Sequence, residues 1–218
     1  MLRLTAEQYR KLPILVDQKT CIGKTYIITG GNSGLGLETA KHLVAAAPHQ
    51  PSVSCWLCGM SRREKQPSVK LRRQLAERAL FRYVFCEIMR VMCDTDPPKV
   101  RHIDMSTYAS VQSFAKSVSE EMDRIDGFIC NAGIMIDAWS QFEGMESSIF
   151  VNVINTIFLG VLMMPKLKES AAKFNIKPTL VFIVSVLGYT VKAEMDKSRN
   201  GGVFDRLNDQ KRANMDAR

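Results

Sequence analysis

The sequence lacks any uninterrupted apolar stretch of membrane-spanning length. Its longest apolar run, Ile149 to Pro165, is broken by Asn152, Asn155 and Thr156 and falls short of the roughly 20 residues a helix needs to cross a bilayer. A buried helix is expected there, and no membrane association. No secretory leader is expected either: Met1 to Lys24 carry charges at Arg3, Glu7, Arg10, Lys11, Asp17 and Lys19, which break up the apolar core that such a leader requires. Six cysteines without a leader are expected as reduced thiols in the cytoplasm, not as a disulfide framework. Histidine is scarce, and none completes a tight ligand set with Cys55, Cys58, Cys86 and Cys93. Cys55-Trp56-Leu57-Cys58 moreover reads as a buried strand, in which residues three apart face opposite sides. No metal site is expected.

What is present is the balance of a globular chain: 46% of the residues are hydrophobic and 24% charged, enough to bury a sizeable core. One domain over residues 1–218 is the expectation. The net charge of +8 is uneven, because Arg62 to Arg90 hold nine basic residues against three acidic ones. Such a run is ordinarily a solvated face, and nucleic acid is not the expected partner.

Lys24 to Thr29 is a short apolar, β-branched run that meets Gly30-Gly31, as a buried parallel strand meets its turn. From Leu35, apolar residues at 37, 40, 43, 44 and 47 recur at helical spacing until Pro48. Further strands are predicted at Val53–Cys58, Val100–Ile103, Gly127–Cys130 and Thr179–Val184. Val111, Phe114, Ala115, Val118 and Met122 mark a helix with Ser106 as its N-cap, and a long helix contains Phe150 to Lys168. Alternating strands and helices predict an α/β fold with a doubly wound parallel sheet. The basic segment 60–99 breaks the rhythm, since about 40 residues stand where one helix and two short loops suffice; a helix over Lys70 to Arg90 is one expectation for it.

The octapeptide Thr29-Gly30-Gly31-Asn32-Ser33-Gly34-Leu35-Gly36 sits between the first strand and the first helix, where a phosphate loop belongs. Glycines at 30, 34 and 36 permit a tight turn and close approach to a pyrophosphate, and the helix offers unpaired N–H groups and its positive end. Gly30, Asn32, Ser33, Gly34, Leu35 and Gly36 are therefore candidate cofactor-binding residues.

This loop resembles the Thr-Gly-x-x-x-Gly-x-Gly loop of the short-chain dehydrogenases/reductases, and further motifs follow in the family's order. His102-Ile103-Asp104-Met105-Ser106 is similar to the segment whose Asp meets the adenine ring. Asn131-Ala132-Gly133 resembles the signature after the fourth strand. Val151-Asn152-Val153 is similar to the segment holding the family's structural and catalytic Asn, and Ser185-Val186-Leu187-Gly188 to the one holding its catalytic Ser. The stretch Ser148 to Val184 is most like fungal and retinol-dehydrogenase-type members. The resemblance implies a Rossmann fold, a nicotinamide cofactor contacted by Asp104, Asn131, Ala132 and Gly133, and catalytic roles for Ser185 and Asn152. It also implies a small-molecule alcohol or carbonyl substrate, with secondary metabolism as a setting and a homo-oligomer left open.

After Cys58 the chain reads Gly59-Met60-Ser61-Arg62-Arg63, with no acid before Glu64. A carboxylate there would grip the ribose hydroxyls of NAD, whereas a basic group accepts the extra phosphate of NADP. NADP (NADPH) is expected, with Arg62 or Arg63 at the phosphate. In the family a Tyr transfers the proton and a Lys four residues later lowers its pKa. No Tyr-x-x-x-Lys occurs in these residues: Tyr189-Thr190-Val191-Lys192 has its Lys one place early. The expectation is a C-terminally incomplete Rossmann fold, working as an oxidoreductase when continued. The alternative is a truncated, inactive nucleotide- or partner-binding protein.

Overall fold

A computed structural model of the chain describes residues 13, 16–17, 21–46, 54–58, 101–136, 138–185 and 202–211. In chain order its elements are β1 (Thr25–Thr29), α1 (Gly34–Ala45), β2 (Ser54–Cys58), α2 (Tyr108–Glu121), β3 (Gly127–Cys130), the short strands β4 (Gln141–Phe142) and β5 (Met145–Glu146), the long helix α3 (Ser147–Phe174), β6 (Thr179–Phe182) and α4 (Val203–Leu207). Four strands make a parallel sheet in the order β2-β1-β3-β6, and β4 and β5 form a separate antiparallel hairpin. In register, Tyr26 stands opposite Cys55 and Gly127, and Gly127 opposite Thr179.

Alternation along β1 divides the core. Ile27 and Phe128 point to one face, where they meet Val111, Phe114 and Val118 of α2 and Leu159, Met163 and Leu167 of α3. Ile28 points to the other, against Ala40, Leu43 and Val44 of α1. Ile27, Ile28 and Phe128 are fully buried, each worth about 1.5–3 kcal/mol in apolar transfer. The fold is α/β, with helices on both faces of a parallel sheet. At the amino edge of the sheet the Asp126 carboxylate takes two bonds from the Arg124 guanidinium, at 2.8 and 2.6 Å, and one from the Thr25 N–H at 2.9 Å. Such a bidentate pair is among the stronger side-chain links.

Several expectations are corrected. Of the strand expected at Val100–Ile103, Arg101–Ile103 are described and form none, although Ile103 is buried. The Asp104 N–H donates to Ser110 Oγ at 2.8 Å and its carbonyl accepts from Thr107, so its backbone groups are used at the start of α2 and not in a ladder. The N-cap of α2 is Thr107, whose side chain accepts from the Ser110 N–H at 3.3 Å. Ser106 instead gives its N–H to Asp104 Oδ1 at 2.9 Å. The last strand ends at Phe182, two residues early, though the Ile183 N–H still reaches the Cys130 carbonyl at 3.0 Å. Segment 60–99 lies outside the described residues.

The long helix is longer than the apolar run that marks it. Its 28 residues, Ser147–Phe174, are long and apolar enough to cross a membrane by length and composition, which corrects the length-based expectation. Half of its apolar window is buried inside the fold, and its inner face packs on α2 and the sheet. Two capping devices explain the extension. Both Glu146 carboxylate oxygens accept first-turn amides, and Asn175 ends the helix in the left-handed conformation at φ 50°. Residues Phe150–Asn155 form a π turn, in which the Val151 carbonyl accepts from Thr156 Oγ1 at 2.7 Å.

Candidate functional site

At the carboxyl edge of β1 the chain turns through Gly30, at φ 66°, and re-enters α1 through Gly34, at φ 52°. Both are left-handed values that glycine adopts without strain. Gly30 and Gly36 are also sterically required. A Cβ on Gly36 would lie 2.5 Å from the Gly30 carbonyl and 2.5 Å from Asn131 Nδ2, and one on Gly30 would lie 2.8 Å from the Ala132 Cα. Gly34 has open space around it.

Ser33 is the N-cap of α1, yet it makes no side-chain cap, and no acidic residue stands in the first turn. The opening amides of α1 thus carry the helix's positive end with no carboxylate to neutralise it. Leu35 is 72% exposed at this turn, and Asn32 is exposed beside it. An anion such as a pyrophosphate fits this cradle: a Cβ at 30 or 36 would close it, and the donor set is made of backbone N–H groups.

A continuous set of hydrogen bonds leads from this loop across the sheet edge. The buried Thr29 hydroxyl accepts from the Asn131 and Ala132 N–H groups, each at 3.0 Å. Asn131 Nδ2 returns to the carbonyls of Thr29 at 3.0 Å and Gly30 at 3.3 Å. Beyond Gly133, Asn152 grips the backbone of Ile134: its Oδ1 accepts the Ile134 N–H and its Nδ2 donates to the Ile134 carbonyl, both at 2.8 Å. Asn152 lies in the π turn and is exposed, so it is not a polar group sunk inside a buried helix. A Cβ on Gly133 would approach Asn152 Oδ1 to 3.1 Å, so the lack of a side chain there lets the two segments come close.

Ser185 is exposed, three residues past Phe182. Phe182 pairs with Cys130, so Ser185 follows β6 out of the same edge from which Asn131-Ala132-Gly133 follow β3. Asp104 is 8% exposed and its Oδ1 is engaged by Ser106, which makes it a turn-builder at the start of α2. Arg62 lies outside the described residues, as do Val186 to Gly188. Among the described residues no group of three His, Cys, Asp or Glu is arranged to hold a metal. A groove of about 260 Å3 lined by Met164, Leu167, Lys168, Pro178 and Leu180 lies by the amino end of β6, away from this edge.

Burial raises the Cys130 thiol to about 12, so it stays protonated at the end of β3. Two contributors were not singled out from sequence. Thr29 acts through its hydroxyl, for which the local signs are its place at the end of a buried strand and as the first residue of the Thr-Gly-x-x-x-Gly-x-Gly loop. Glu146 caps α3, and its signal was an acid directly before Ser147-Ser148.

The chain spans roughly half the length of the curated relatives it matches. A family model described as short chain dehydrogenase matches residues 94–196. The short chain dehydrogenase/reductase dmxR8 of Cryptosporiopsis sp. is 34% identical over 208 residues, covering 95% of this chain and 57% of that protein. Retinol dehydrogenase 13 of Homo sapiens is 29% identical over 156 residues, covering 71% of this chain and 40% of that one. Among solved structures, the NADH-dependent reductase A1-R′ complexed with NAD aligns over 86% of this chain and 67% of its own, with a TM-score of 0.56 at 18% identity, which is a likeness of fold. With its phosphate-loop geometry, its linked carboxyl edge and these relatives, the chain belongs to the short-chain dehydrogenase/reductase family.

Proposed function

We propose that this chain forms the cofactor-binding part of an NADP-dependent oxidoreductase that interconverts an alcohol and a carbonyl in a small molecule, with fungal secondary metabolism as its setting. The carrying observation is the hydrogen-bonded path from the uncapped α1 turn through Thr29, Asn131 and Ala132 to the edge that Asn152 clamps. When bound, the nicotinamide supplies or accepts a hydride. The amides of Gly34, Leu35 and Gly36 would hold the pyrophosphate against the positive end of α1. Asn131, Ala132 and Gly133 would line the cofactor's path along the sheet, and Asp104 would stand by the adenine once its tie to Ser106 allows. Ser185 would orient the substrate oxygen, and Asn152 would hold the local backbone for proton transfer. Arg62 would take the 2′-phosphate.

A second reading is binding without turnover. It is favoured by the absence of a Tyr-x-x-x-Lys among these residues, since Ser185 and Asn152 by themselves give the proton no donor with a matched pKa. Titration of the protein with NADPH and NADH, followed by an assay with a panel of small ketones, separates the two. Saturable NADPH binding is expected, about tenfold tighter than NADH for one charge-assisted phosphate contact. Folded protein that binds neither dinucleotide would sink both readings, and equal affinity would remove the NADP preference. NADPH binding without oxidation in the presence of any ketone would leave the second reading.

A further inference from the structure

We infer that Asn208 is a positioning residue for the carboxyl-edge site, acting through the β4–β5 hairpin on Asn152; the inference rests on the role assigned to Asn152 above. Asn208 follows α4, some 60 residues from the hairpin it touches. Its Oδ1 accepts the Glu146 N–H at 2.7 Å and Gln141 Nε2 at 3.2 Å, and its Nδ2 donates to the Gly144 carbonyl at 2.9 Å. One carboxamide therefore engages both hairpin strands and the turn between them.

The hairpin is itself a bracket for two helices. Glu143 Oε1 accepts the Tyr108 N–H, the first amide of α2, at 3.2 Å. Glu146, fully buried, accepts the Ser148 and Ile149 N–H groups at 3.0 and 3.1 Å. The Ser147 N–H reaches the Ser140 carbonyl at 2.9 Å. Asn152 stands little more than one turn further along α3, with both polar atoms of its carboxamide on Ile134. Asn208 fixes the Glu146 backbone, the Glu146 carboxylate fixes the first turn of α3, and that turn sets where Asn152 meets Ile134. The link is made of directional bonds at a buried helix start, where a shift of one ångström is not absorbed by solvent.

Residue-resolved amide exchange on the 218-residue chain, without cofactor, tests this with Asn208→Ala and Asn208→Asp. Asn208→Ala is expected to lower protection about tenfold at the Glu146, Ser148 and Ile149 amides and at the Ile134 amide, the order expected for one to two lost hydrogen bonds. Ile27, Ile28 and Phe128 should be unchanged. Asn208→Asp carries the distinguishing readout. Its protonated carboxyl offers one O–H and one C=O in the carboxamide's arrangement, so protection at Ile134 should approach wild type at low pH and fall as the carboxyl ionises. The charged groups near the junction are Glu143 and Glu146 on the hairpin and Asp205, Arg206, Asp209 and Lys211 on the segment.

Loss confined to Glu146 with Ile134 unmoved would overturn the inference, as would uniform loss through β1 and β3 or a pH-independent Asn208→Asp. Should Asn208→Ala not fold, Gln141→Ala removes the 3.2 Å bond to Asn208 together with the weaker 3.4 Å bond to the Gly144 carbonyl, leaves the other two bonds of Asn208, and must give a smaller drop at the same amides; no drop there would also overturn it. Because no cofactor is added, failure of the exchange pattern is distinct from failure of wild-type protein to bind NADPH.

Discussion

Replacing Gly36 with Ala tests whether the loop is closed by contact or only by conformation. The added Cβ would sit 2.5 Å from the Gly30 carbonyl, which is backbone, and 2.5 Å from Asn131 Nδ2. Overpacking of this kind costs about 1–3 kcal/mol. Displacing Asn131 also strains its bonds to the Thr29 and Gly30 carbonyls, at about 0.5–1.5 kcal/mol each. Alanine regains about 1 kcal/mol of helix propensity over glycine. The net loss is about 1–5 kcal/mol, or roughly 2–20 °C in Tm for a chain of this size. Gly34→Ala is the control, because its Cβ meets nothing within 4 Å and only the φ of 52° is at issue, a cost of about 1–2 kcal/mol. Thermal melts followed by circular dichroism, with NADPH titration alongside, read both. A Gly36→Ala protein as stable as wild type, or a larger loss from Gly34→Ala, would refute the steric account.

Thr29→Val keeps the shape of the side chain but leaves the Asn131 and Ala132 amides without their acceptor at a buried position. A loss of about 2–5 kcal/mol in urea unfolding is expected, with Thr29→Ser close to wild type; a Thr29→Val loss below about 0.5 kcal/mol would contradict it. Cys130, held to about 12 by burial, should resist iodoacetamide at pH 8 until the protein unfolds. The unfolded thiol sheds its proton near pH 8.5 while the folded one keeps it. Stability should therefore fall as pH rises from about 8.5 toward 12, by about 1 kcal/mol per pH unit, and Cys130→Ala should flatten that slope. An unchanged slope in Cys130→Ala would assign the loss to other groups.

The parts of the fold legible in sequence were those set by local pattern. The β-branched run into Gly30, the helical spacing after Leu35 and the apolar Thr179–Phe182 each reported their own element. Val100 to Ile103 offers only two apolar residues around Arg101 and His102, and the Asp104 amide just beyond it is taken by the Ser110 hydroxyl, a polar pairing that periodicity does not carry. Ser106 and Thr107 are both fit to cap a helix, and Asp104 settles the matter by holding Ser106. The β4–β5 hairpin has two-residue strands, too short for any alternation to register. In the site, glycine positions were readable because backbone approach demands them. The clamp of Asn152 on Ile134 and the reach of Asn208 were not, since each joins residues that only the folded chain brings together.

The π turn at Phe150–Asn155 has a bearing on how this helix tolerates change. A wide turn holds one residue more than the α-helical path between the same two ends, so it works as a phase shifter in the middle of α3. Upstream, the helix is indexed to the hairpin through Glu146; downstream, it is indexed to the sheet through Leu159, Met163 and Leu167. Deleting a single residue within 150–155 would therefore let the segment relax to regular α-helix with both ends left in place. A residue inserted into the regular part of α3 between Thr156 and Leu159 has no such outlet and would turn everything before it by about 100°, swinging Asn152 away from Ile134 and Val151 out of the core. Substitutions along the outer face of α3 should be absorbed readily, whereas such an insertion should not.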